Sequence, residues 1–318
     1  MSSIEAFTVR SATEDDLDSI VGLKNEAAML DLGKAINSRS DMLRSWHTFG
    51  VDPSTDAWVA VLDGGRVIGA GEAMLDESGA NLWVEVCVHP SSRGRGIEGR
   101  LADLAEARVV DMAASRGLSM PAEVIQGAWS DSDESRFLEA RGYAWIRCFL
   151  RMRADLGQAP AEPVWPEGIE LAGFERGRDE SAFHACLNEG FRDHWRWTDV
   201  PLEEFVKFNI ENDENFDGSL WFRAMDGDAT IGAIVCVPVS SEEEGAGWIE
   251  DLAVLPAWRR RGVGLALLLH GLGALHRRGL RAALLGVDAD SPTGATRLYE
   301  RAGMREARRN DLYSKHLG

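Results

Sequence analysis

The sequence predicts a mixed α/β (α+β) protein made of two tandem copies of one unit, each a central mixed sheet flanked by helices. Three observations carry this expectation. An internal repeat stays in step over long stretches, strand-length apolar runs alternate with longer helical patterns, and 318 residues exceed what one core usually takes up.

The repeat is clearest in a hairpin. Trp58–Gly69 recurs 163 positions on as Trp221–Gly232, with Trp, Asp-Gly, Ile and Gly at matching places. In each copy an Asp-Gly step, Asp63-Gly64 and Asp226-Gly227, supplies the positive φ that turns two half-buried strands back on each other. Next, Val86–Pro90 with Arg93-Gly-Arg-Gly96 matches Leu252–Pro256 with Arg259-Arg-Arg-Gly262, now at an offset of 166. Each block is a central strand running into a long helix pattern, Leu101–Arg116 and Leu265–Arg278, closed by Gly117 and Gly279. A strand, a helix and a final strand then complete each copy. Asp155–Glu167 holds three prolines and no hydrophobic period, so it reads as the connection, with domains at 1–157 and 158–318.

Composition narrows the function classes. A 45% hydrophobic and 27% charged chain is an ordinary globular protein. Its 52 acids against 34 Lys plus Arg, a net charge of -18, argue against nucleic acid or an anionic membrane as partner. No basic, apolar leader opens the sequence, and the apolar run Val263–Leu275 falls short of a membrane span, so a cytoplasmic location is expected. The cysteines are scattered: Cys87, Cys148 and Cys236 sit in apolar strand-like runs and are expected to be structural thiols, while no spacing suggests a metal site.

The most informative segment is Trp248–Leu269. A strand ends at Pro256, a helix begins near Gly262, and Gly262 and Gly264 remove side chains where successive N–H groups face outward at a helix N-terminus. Such a turn attracts anions, and Arg259, Arg260 and Arg261 add charge-assisted donors. The whole order, Arg259-x-x-Gly262-x-Gly264, then a long helix, a strand and Leu298-Tyr-Glu-Arg-Ala-Gly303, resembles the GNAT superfamily of N-acetyltransferases. Its hallmark is [Gln/Arg]-x-x-Gly-x-[Gly/Ala], which grips the pyrophosphate of acetyl-CoA. The tandem layout, with Phe191–Trp195 and Val287–Tyr299, is similar to the two-domain, mycothiol synthase-like members of that superfamily.

The resemblance implies acetyl-CoA as co-substrate, no metal, and a small-molecule or peptide amine as acceptor, in a monomer or homodimer. It implies that the backbone of Leu252, Ala253 and Val254 pairs with the pantetheine and polarises the thioester. Residues Arg259 to Gly264, Val263 included, hold the pyrophosphate, and Ser291 stands where relatives commonly carry a contacting Asn. Tyr299 occupies the place of the phenol that protonates the leaving sulfur. Of the adjacent strand acids, Glu250 is the preferred base because it shares parity with Trp248 and Leu252, and Asp251 is assigned to acceptor binding. His194, Trp195 and Trp197 are expected to line the acceptor pocket. Plainer alternatives stand beside these: strand-rim acids, a core tyrosine, packed tryptophans, and a non-catalytic acyl-CoA-binding or regulatory module, or a purely structural duplication.

In the first copy the third motif position is Glu98 and the phenol position is Leu138. A carboxylate at an anion-seeking turn opposes its chemistry, so this domain is expected to be degenerate.

Overall fold

The computed structural model describes residues 6–76 and 81–318. In chain order the first half forms β1 (Phe7–Ser11), α1 (Leu17–Leu32), α2 (Arg39–Thr48), α3 (Pro53–Asp56), β2 (Ala57–Leu62), β3 (Val67–Leu75), β4 (Leu82–Val88), α4 (Ile97–Ser115), β5 (Ala122–Trp129), α5 (Asp133–Ala140) and β6 (Ala144–Asp155). The second half forms β7 (Ile169–Gly173), α6 (Glu180–Phe191), α7 (Leu202–Val206), β8 (Trp221–Asp226), β9 (Ala229–Val237), β10 (Ala246–Val254), α8 (Val263–Arg277), β11 (Ala282–Asp288), α9 (Ala295–Arg301) and β12 (Arg305–Leu317). The two long helices begin a few residues before the predicted patterns, and Gly117 and Gly279 follow them with φ of +67° and +80°.

These elements divide into two compact units. In the first, the strands run β1-β2-β3-β4-β5-β12, with α1 and α4 packed on β3 and β4. In the second, they run β6-β11-β10-β9-β8-β7, with α6 and α8 on β9 and β10. The sheets are mixed as expected: β4 meets β5, and β10 meets β11, in parallel, while the other ladders are antiparallel.

A single cut after residue 157 does not describe these units. Phe149–Asp155 pairs with Ala282–Asp288 in the second unit, and Asn310–Leu317 pairs with Ala122–Trp129 in the first. The final strands are exchanged between the copies. A repeat in register states which strand comes last, not which sheet receives it, because either sheet offers the same open edge.

The hairpins form as read, with one shift. Gly227 takes the positive φ of +56° in the second copy, but in the first the left-handed residue is Gly65, at +83°, not Gly64. Close packing in the second unit depends on small residues. A Cβ on Gly190 of α6 would lie 2.7 Å from Ala253 Cβ, and one on Gly271 of α8 would lie 2.7 Å from Ile234. Cys87, Cys186 and Cys236 are buried thiols and Cys148 is half-buried. Among the described residues no helix is long and apolar enough to cross a membrane.

Candidate active site

Strands β10 and β11 pair only through Ala246–Trp248 against Ala282–Leu284 and then part. Beyond that point Ile249–Val254 keeps its ladder with β9, so a wedge opens between the two parallel strands. A cavity of 480 Å³ occupies this wedge. Glu250, Leu252 and Val254 line it from β10, Leu285–Asp288 from β11, and Phe149 from β6. Phe191 at the end of α6 and His194, Trp195 and Trp197 just beyond it wall it, while Ser291, Thr293 and Gly294 before α9 and Tyr299 within α9 close it.

At one end lies the turn into α8. Gly262 caps the helix with φ +93°, and Arg260 is left-handed at +62°, a region costly to residues with a Cβ. The first copy repeats this backbone, with Gly94 at +74° and Gly96 at +82°. There Glu98 Oε1 accepts a hydrogen bond from the Gly94 N–H at 2.9 Å, so the turn holds the chain's own carboxylate. Position 264, the counterpart of Glu98, is a buried glycine whose Cβ would meet Leu298 at 3.0 Å. The second turn is thus the same anion cup without the internal anion.

The three arginines differ. Arg260 lines the cavity. Arg261 lies over the Trp258 ring at 4.8 Å. Arg259 also reaches the cavity wall, but its guanidinium bonds to Asp193 and to the carbonyls of Gly190 and Val254. Val263 and Ala253 are buried, in the α8 core and against α6 respectively, so their side chains do not face the cavity.

The adjacent acids are arranged differently from the simple alternation. The β10 ladder skips Glu250: Ile249 faces Cys236 and Asp251 faces Val235. This bulge reverses parity, and Trp248 packs with Ala246 and Leu284 on one side while Leu252 and Ile249 pack with the α8 core on the other. The parity argument for Glu250 therefore fails, yet the bulge itself turns Glu250 into the cavity as an exposed side chain. Asp251 does not line the cavity. Burial, with the Glu250 charge beside it, pushes its carboxyl up to about 7. Tyr299 is 8% exposed, and burial together with the Asp251 charge raises its hydroxyl to about 12. It remains protonated at neutral pH.

The far wall is aromatic. Phe191 stacks near His194 at 4.7 Å and Trp197 at 5.1 Å, and Phe149 meets Trp195 at 6.2 Å. Burial keeps His194 below the ordinary histidine range. The Trp197 indole N–H is buried with no hydrogen-bond partner among the described residues.

The structure thus gathers Glu250, Leu252, Val254, Arg259, Arg260, Gly262, Gly264, Ser291, Tyr299, His194, Trp195 and Trp197 around one cavity. Sequence reasoning missed Phe149, which enters only through strand exchange and carries no local signal. It also missed Asp288, Arg297 and Arg301, whose strand-end and helix positions lie within the Val287–Tyr299 run or just beyond it.

The profile of the Acetyltransferase (GNAT) family matches residues 181–304. The mycothiol acetyltransferase of Thermobispora bispora is 31% identical over 298 residues, covering 92% of this chain and 93% of its own length. That of Streptomyces griseus subsp. griseus is 29% identical over 303 residues, covering 94% and 92%. A GCN5-related N-acetyltransferase from Sphaerobacter thermophilus superposes with a TM-score of 0.80 at 30% identity, covering 98% of this chain and 95% of that one. A tandem GNAT protein from the clavulanic acid biosynthesis pathway gives 0.72 at 18% identity over 98% and 99%, a likeness of fold alone.

Proposed function

The chain belongs to the GNAT family of acetyltransferases, and from that premise we propose that it moves an acetyl group from acetyl-CoA to a primary amine by direct transfer in the second unit. One observation carries the assignment to that unit: equivalent turns hold an internal carboxylate in the first copy and a bare glycine in the second. The first unit is then a degenerate partner that leaves acetyl-CoA unbound.

In this reading the N–H groups that open α8, with Arg260, hold the diphosphate, and the free edge of β10 at Leu252–Val254 pairs with the pantetheine. Ser291 lies on the same rim. Glu250 takes a proton from the acceptor amine, directly or through water. The nitrogen then bonds to the thioester carbonyl carbon, the C–S bond breaks, and the Tyr299 hydroxyl delivers its proton to the departing sulfur. A phenol that stays protonated and sits in a dry pocket suits that role. Asp251 acts behind the site on Tyr299. His194, Trp195 and Trp197 form an acceptor wall, where the Trp197 N–H, without a partner among the described residues, is available to an acceptor oxygen.

The experiment is acetyl-CoA-dependent release of free thiol in the presence of primary amines, including the acceptor used by the mycothiol acetyltransferases. Tyr299→Phe should lower kcat by about 10²-fold or more, the usual worth of a positioned proton donor, while acetyl-CoA binding changes less than about twofold. Unchanged turnover would remove Tyr299 from the chemistry. Binding without thiol release under every amine would favour an acyl-CoA sensor instead.

A further inference from the structure

We propose that Arg259, the first residue of the diphosphate motif, is a positioning residue that clamps the acceptor wall to the end of β10, and that it is not a diphosphate ligand. An arginine has five N–H donors. In Arg259, Nε donates to the Val254 carbonyl at 3.2 Å, Nη2 to the Gly190 carbonyl at 2.9 Å and to Asp193 at 3.0 Å, and Nη1 to the second Asp193 oxygen. These bonds leave about one N–H for any other partner.

The partners explain the use. Gly190 lies in the last turn of α6, and Asp193 immediately precedes His194 in the irregular segment that carries Trp195 and Trp197. That segment keeps few backbone bonds of its own, such as His194 N–H to Phe191 O at 2.8 Å and Trp197 N–H to His194 O at 3.2 Å. The guanidinium fastens it to the strand whose edge faces the wedge. Its hydrogen bonds and its charge hold the Asp193 carboxyl below the usual range.

The first copy supplies an independent case. Arg93, the counterpart of Arg259, donates from Nε to the Val88 carbonyl at 3.4 Å, from Nη2 to Asp31, in the last turn of α1, at 2.6 Å, and from Nη1 to Asp31 and to Asp133 at the start of α5, both at 3.2 Å. Its turn is already filled by Glu98. An arginine kept for an external anion has no task there, yet the same anchor between the strand end and the first long helix persists. The anchor is the common feature of both copies and the anion is not.

The test uses the full chain. Asp193→Ala and Arg259→Gln should each raise amide hydrogen exchange across 190–197 by about tenfold or more, whereas Asp193→Glu, which keeps the carboxylate, should restore wild-type protection. In the same proteins, acetyl-CoA measured by calorimetry should bind Arg259→Gln and Asp193→Ala within about threefold of wild type, against at least about a tenfold loss for Arg260→Gln. Unchanged exchange in Asp193→Ala overturns the clamp, and an acetyl-CoA loss in Arg259→Gln as large as in Arg260→Gln makes Arg259 a diphosphate ligand and overturns the proposal. If no form binds acetyl-CoA, wild type included, the functional reading above fails while the exchange measurements still decide the clamp.

Discussion

Asp251 is a residue whose environment and chemistry pull apart. Its carboxyl titrates near 7 in the folded protein, against an ordinary value of 3.8. The folded state therefore binds more protons than the unfolded state between these values, and stability falls as pH rises through that window. Asp251→Asn should remove this slope: its stability advantage over wild type should be absent at about pH 4 and grow to a few kcal/mol by about pH 8. Urea unfolding across that range checks it. The identity of the acids was legible in the sequence, but their directions were not. Strand alternation decides facing only while the ladder is unbroken, and the extra residue at Glu250 announces itself by no glycine or proline.

At the scale of elements, the β10 side of the wedge is backed by α6 and α8, which lie tightly on β9 and β10 where small residues permit it. Gly190→Val would drive a side chain into Ala253, where even a Cβ has only 2.7 Å, and should destabilise the fold by about 1–3 kcal/mol. It should also weaken acetyl-CoA, since β10 would have to shift; paired unfolding and binding measurements test both. The hairpins, the long helices and the glycine turn were readable because each has a local cause: turn residues, a helical period, a cap. The left-handed Arg260 was not, since a copy with Gly94 at that place shows what the backbone prefers and only the folded turn imposes it on arginine. The roles read for Arg259 and Arg261 met a similar limit, because a motif names residue types and leaves their partners unstated.

For the whole molecule, the repeat revealed two units but not the exchange of their final strands. That exchange changes how the protein can be divided. A fragment of residues 148–309 retains β6 beside β11, whereas 158–318 loses it and exposes the Ala282–Asp288 edge. The first fragment should unfold cooperatively in urea and bind acetyl-CoA; the second should show a lower midpoint and a weaker, shallower transition. Equal midpoints would mean that β6 contributes little to the second sheet.

The crossed strands also set an order of assembly. Every strand of the second sheet is synthesised before Asn310–Leu317, the segment that Ala122–Trp129 of the first sheet awaits. On the ribosome the later-made half can therefore finish its sheet while the earlier-made half still carries a bare edge, reversing the usual amino-to-carboxyl sequence of domain maturation.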